Sequence, residues 1–136
     1  MNTWIFGKLS MDSTTSKLVT AGVLFLLTII SGMILSRSNR PLNIGMVTVH
    51  KLIAAGAMVL LGMAINQLFK AADGRIRVEL SFTIIGAISF LALIATGGLL
   101  TREEMQLPAL VFDIHKLAPL LALSSCAVSV YLLTKS

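Results

Sequence analysis

Four long apolar runs set the limits on this chain: roughly Leu18–Leu35, Ile44–Phe69, Leu80–Leu100 and Ala109–Leu133. A helix rises about 1.5 Å per residue, so about 20 apolar residues cross the ~30 Å of bilayer hydrocarbon, and each run approaches or exceeds that length. The runs are continuous rather than alternating, which selects helices over the strands of a membrane barrel. With 56% of 136 residues hydrophobic and 12% charged, a water-soluble fold would expose too much apolar surface. The expectation is an all-α integral membrane protein: one transmembrane domain over residues 1–136, a four-helix up-down-up-down bundle, multi-pass. The polar segment Met11–Lys17 ahead of a first run of spanning length reads as the approach to an uncleaved span rather than a signal peptide.

Sliding the sequence by 65 residues aligns Ala21–Ala57 with Gly86–Ala122 without a gap. Among the identical pairs are Phe25/Phe90, Leu26/Leu91, Gly32/Gly97, Arg37/Arg102, His50/His115, Lys51/Lys116, Leu52/Leu117 and Ala57/Ala122. Apolar helices resemble one another by composition, but Gly, Arg and His-Lys-Leu do not coincide at one offset on that ground alone. The chain therefore reads as two copies of a helical hairpin, repeat 1 about 18–70 and repeat 2 about 80–135. Both copies enter the membrane from the same side, so equivalent residues sit at equal depth.

His50 and His115 lie about a turn and a half into the second and fourth runs. An ionisable residue inside a membrane span is costly and is a functional candidate by default. In an up-down-up-down bundle those two helices are diagonal, with axes roughly 11–14 Å apart when neighbours pack at 8–10 Å. That distance is wide for a direct hydrogen bond between imidazoles and suits imidazole, iron and imidazole in line. One haem b per chain, with His50 and His115 as its metal ligands, is the expected cofactor. Gly32, Gly97 and Gly98 near the same depth would clear room for the macrocycle, and Ser31 and Thr96 could orient each imidazole through its other ring nitrogen. The plainer alternative for these small residues is close helix packing, and for the histidines it is satisfaction by backbone carbonyls or water near the interface. Zinc or copper is less suited, because no further Cys, His or carboxylate repeats beside the histidines; Asp113 is answered by Thr48.

The formal charge of +5 comes from basic residues scattered over loops and helix ends rather than gathered in one stripe, so topology explains it better than nucleic acid. Lys8, Lys17, Lys70, Arg75, Arg77 and Lys135 fall on the side of the termini, against Arg37, Arg40, Arg102, Lys51 and Lys116 on the other, which favours both termini in the cytoplasm. Arg37 and Arg102 could pair with haem propionates; the lysines fit snorkelling to headgroups. Pro119 cannot donate to the His115 carbonyl and predicts a kink at the site. Cys126 is the only cysteine, a packing residue in the last span. Trp4 and Tyr131 fit interfacial anchors, and residues 1–10 a short surface helix.

On these residues the chain resembles the small four-helix membrane b-type cytochromes, in the broad sense that includes cytochrome b561-like modules with bis-histidine haem. The resemblance covers the four spans and rests on His50-Lys51-Leu52, His115-Lys116-Leu117 and the glycines. It departs from cytochrome b561 proteins in offering two histidines, hence one haem site near one face rather than two. The resemblance implies an electron carrier or redox subunit rather than a stand-alone enzyme, exchanging electrons with a quinone or a redox protein on the loop side, with the lipid bilayer, a second copy or a larger membrane complex around it. From a different class, the rival is a duplicated-hairpin transporter or channel using the histidines; a haem-handling or accessory assembly subunit is a third reading.

Overall fold

Lengths and polar breaks in the sequence translate directly into helices in the computed structural model, which describes residues 3–39, 41–71, 78–102 and 106–135, with side chains from Ser13 onward. Four α-helices follow in order: α1 (Thr3–Arg37), α2 (Ile44–Ala71), α3 (Val78–Leu100) and α4 (Ala109–Lys135). No strand occurs among the described residues. Membrane-length apolar segments occupy 25 residues of α1 from Ser13, and 28, 23 and 27 residues in α2, α3 and α4. At about 1.5 Å per residue even the shortest spans the ~30 Å hydrocarbon core. The chain is thus an all-α, multi-pass membrane protein.

One expectation is corrected at the N-terminus. Rather than a separate surface helix before a polar approach, α1 runs unbroken from Thr3. Ser, Thr and Asp each cost only a few tenths of a kcal/mol in a helix, whereas a break needs proline or a competing cap; Met11–Lys17 holds no proline, and the apolar helix beyond it propagates backwards. Trp4 and Lys8 as side chains, and Arg40, Arg75 and Arg77, lie outside the described residues.

The chain divides into two compact units, Met1–Ala71 and Ala72–Ser136, and each is one helical hairpin. In the first, α1 turns after Arg37, with the Ser38 amide donating to the Leu35 carbonyl at 3.2 Å. Asn43 then caps α2: its Oδ1 accepts from the Met46 amide at 3.2 Å, and its carbonyl from Val47 at 3.0 Å. Its equivalent in the second hairpin is Pro108, whose carbonyl accepts from Val111 at 3.0 Å while its side chain offers nothing. Proline there has no amide to leave unsatisfied, so the two copies start their second helix by different chemistry.

Small residues hold the helices of each hairpin together, as lipid supplies no hydrophobic drive for helix association. In the first unit Ala21 and Phe25 of α1 are buried, as are Ala57, Ala64, Ile65 and Leu68 of α2. The register is rigid, with Thr14 bonded to Gln67 at one end and Ser31 to His50 at the other: seventeen residues forward on α1 equal seventeen back on α2. In the second unit the buried set is Gly86, Ser89 and Thr96 on α3 against Ala118, Ala122, Ser125, Cys126, Ser129 and Leu133 on α4. Here Thr83 pairs with Ser129 and Thr96 with His115. α4 continues as a helix through Pro119.

Candidate functional site

The paired polar contacts at the loop end of each hairpin bring the repeated residues together. Three residues separate Ser31 from Thr28 along α1, which puts the Ser31 hydroxyl over the Thr28 carbonyl, to which it donates at 3.0 Å. The same oxygen is 2.8 Å from His50 Nδ1 on α2. In the second hairpin the Thr96 hydroxyl donates to the Ala92 carbonyl at 2.6 Å and stands 2.8 Å from His115 Nδ1. A hydroxyl has one proton and two lone pairs. With the proton given to a backbone carbonyl, the oxygen meets the ring with a lone pair, so Nδ1 is the donor. In that arrangement each imidazole is the Nδ1–H tautomer and Nε2 carries the lone pair; with the hydroxyl proton turned to the ring instead, Nδ1 accepts and Nε2 holds the proton.

The glycines do something other than the sequence alone implied. A methyl group on Gly32 would stand 3.2 Å from His50 Cε1, and one on Gly97 would stand 3.1 Å from His115 Cε1. Both are tighter than ordinary carbon contacts, so the absence of a side chain admits the edge of the imidazole itself. Clearance for a macrocycle was the expectation; within each hairpin the space in front of these two glycines is taken by the histidine of the same hairpin. Gly98 differs, with no atom within 4 Å of where its Cβ would be, which leaves it the open position of the three.

Of the nine residues singled out from the sequence, six form these two clusters: Ser31, Gly32 and His50, and Thr96, Gly97 and His115. Both histidines are half-buried. Arg37 in the last turn of α1 and Arg102 just past α3 are exposed, as are Lys51, Lys116 and Asp113. Among the described residues no three His, Cys, Asp or Glu side chains gather as a metal site. Cys126 is buried and free, set against Gly86, where a Cβ would meet its Sγ at 2.8 Å.

Sequence reasoning missed the polar contacts at the opposite ends of the hairpins, Thr14 to Gln67 at 3.0 Å and Thr83 to Ser129 at 2.7 Å. Counting outward from the histidine pairing along two antiparallel helices lands on the first, seventeen residues away on both helices, and within one residue of the second, thirteen against fourteen.

Fold and site together define a class: a membrane protein of two repeated helical hairpins, each presenting one oriented imidazole. No protein-family model, curated protein or solved structure matches the chain.

Proposed function

We propose that the protein is a membrane b-type cytochrome in which His50 and His115 ligate one haem through Nε2. One observation carries the reading: each copy ties its histidine at Nδ1 to a hydroxyl of the neighbouring helix, and with Nδ1 donating there Nε2 is the nitrogen with a lone pair for a metal. A metal-ligating histidine commonly donates its other ring N–H to a fixed acceptor, which sets tautomer and orientation, and this chain has that arrangement twice. His50 and His115 would hold the haem iron, and the macrocycle would supply its remaining nitrogen ligands. The pair fits zinc poorly, since two imidazoles leave a tetrahedral site half filled.

When bound, haem supplies a one-electron couple. The chain's own part is to hold and orient two imidazoles inside an apolar span, where water has little access. In this reading the exposed Arg37 and Arg102 at the loop end would pair with the acidic edge of the cofactor or of a redox partner. A quinone or a redox protein on the loop side is the expected electron partner, and the balance of basic residues favours the termini in the cytoplasm.

A proton-conducting role for the same histidines would require both ring nitrogens to exchange protons. The contact at Nδ1 is a hydroxyl bonded to a carbonyl of its own helix, the kind of fixed partner a ligating imidazole uses, and proton flux in vesicles separates the two readings.

The test is the absorption spectrum of the full chain purified in detergent, with haem type and stoichiometry measured. A reducible two-axial-nitrogen b-haem signal, one per chain, lost in both His50→Ala and His115→Ala, is expected. A chain that stays colourless after haem is offered, and that carries protons in vesicles, would overturn the reading in favour of transport.

A further inference from the structure

We infer that Ser31 with Gly32, and Thr96 with Gly97, form two-point clamps that fix the tautomer and the seat of each imidazole before any cofactor arrives. The inference deepens the cytochrome reading but stands on contacts made inside each hairpin. It assigns the glycines a positioning role toward histidine.

Each clamp has two contacts of different kind. The first is polar: Ser31 Oγ at 2.8 Å and Thr96 Oγ1 at 2.8 Å from the respective Nδ1. The second is steric: the imidazole edge lies against a bare glycine, with Cε1 3.2 Å from a Cβ built on Gly32 and 3.1 Å from one built on Gly97. Nδ1 and Nε2 lie at 3.8 and 3.9 Å from those same positions in both hairpins. Four distances thus repeat to within a tenth of an ångström in two hairpins whose other packing differs. One contact alone would let the ring swing about the Nδ1 hydrogen bond. With its edge held against the neighbouring helix as well, the direction of the Nε2 lone pair is set.

The proton accounting makes the clamp one-way. In the Nδ1–H tautomer both contacts of the hydroxyl are hydrogen bonds, ring to hydroxyl and hydroxyl to the Thr28 or Ala92 carbonyl; in the Nε2–H tautomer the hydroxyl has one proton for both Nδ1 and the carbonyl, and one of the two bonds is lost. In a low-dielectric span, loss of that hydrogen bond is costly. The clamp therefore holds each histidine as a neutral Nε2 donor, the form an iron-centred macrocycle takes.

The two copies supply their own control, since serine in one performs what threonine does in the other. Histidine-nitrogen NMR of the isotope-labelled full chain, free of haem in detergent, reads the tautomer directly. In the wild type both rings should show a protonated Nδ1 and a bare Nε2. Ser31→Ala should release His50 to a mixture of tautomers and leave His115 unchanged; Thr96→Val should do the reverse. Ser31→Thr and Thr96→Ser should keep both rings locked. Gly32→Ala should move the His50 signals alone, and in the haem-loaded chain change the electron-paramagnetic-resonance signature of the axial pair.

A mixed or Nε2-protonated tautomer in the wild type would overturn the clamp whatever the protein binds. So would a locked ring in Ser31→Ala or Thr96→Val. A locked tautomer in a chain that takes up no haem would leave the clamp standing and defeat the cytochrome reading, so the two failures are separable.

Discussion

The two hairpins share the contacts of their histidines and differ in much of their packing and in their turns. In both, a hydroxyl and a glycine on the first helix hold a histidine on the second, in matched geometry. Away from that point the first hairpin packs Ala21 and Phe25 against an alanine and aliphatic seam, while the second brings Gly86 against Ser125 and Cys126. Capping differs as well, Asn43 against Pro108. Helix packing in lipid can be met by many sets of small and hydroxylic residues, so the seam is free to vary between copies. The imidazole clamp needs a particular donor, a particular acceptor and no Cβ, and only this arrangement recurs whole.

The seam can be tested first where the copies agree. Ala57 and Ala122 occupy equivalent positions and are 2% and 0% exposed. Leucine at either should force the helices apart and cost about 1–3 kcal/mol, the usual range for overpacking, measured by unfolding in mixed detergent micelles. Similar losses in the two variants would extend the equivalence to packing. A loss confined to one would break it, and leave the duplication a matter of sequence and site.

Where the copies differ, the expected effects differ too. Gly86→Ala sets a Cβ 2.8 Å from Cys126 Sγ, and should lower stability by about 1–2 kcal/mol, less than a full overpacking because one thiol can shift. Adding Cys126→Ala should recover most of that, a coupling seen between residues in contact. Ala21→Gly in the first hairpin has no thiol to answer to and should show only the loss of about 1 kcal/mol that glycine brings to a helix. At the caps, Asn43→Ala removes the acceptor for the Met46 amide and should cost about 1 kcal/mol, while Pro108→Ala removes no side-chain hydrogen bond and should change stability by less than ~0.5 kcal/mol. An equal response at Asn43 and Pro108 would show that the difference between the turns is one of sequence only.

Helix number and type, and every limit but the start of α1, were legible because each span is a long apolar run between polar breaks, a signal that a twenty-residue crossing cannot hide. The pairing of Ser31 with His50 and of Thr96 with His115 was legible because equal depth and a short turn bring the loop ends of neighbouring helices together. Direction around the helix axis was not. Spacing placed Gly32 and Gly97 at the histidine level, yet could not say whether imidazole or some other group fills the gap beside them, since that depends on how each helix is rotated against its neighbour. Thr14 with Gln67, and Thr83 with Ser129, escaped because they are not equivalent under the repeat, and a search guided by the repeat passes over them. The N-terminal continuation of α1 escaped because polar composition marks where lipid ends and says little about where a helix does.

Those far-end pairs give small expected effects and the finest comparison. Hydrogen bonds between membrane helices contribute about 0.5–2 kcal/mol, and the value depends on what the abandoned partner can do. The Thr83 hydroxyl donates to the Glu79 carbonyl at 2.9 Å, and Ser129 lies 2.7 Å from Thr83 Oγ1 and 3.4 Å from that same carbonyl. In Thr83→Val, Ser129 can turn to the carbonyl that threonine has vacated, so the loss should stay below about 0.5 kcal/mol. Thr14→Val instead removes the donor to Gln67 Oε1. Thr14 is buried, but Gln67 is half-exposed near the membrane edge, where headgroup water can replace part of the bond, so the loss should be about 0.5–1 kcal/mol. Thr14→Val should therefore destabilise its hairpin slightly more than Thr83→Val destabilises the other, as read from paired unfolding curves. The opposite order would mean that Ser129 fails to find the Glu79 carbonyl, and that the second hairpin depends on its threonine for more than a replaceable hydrogen bond.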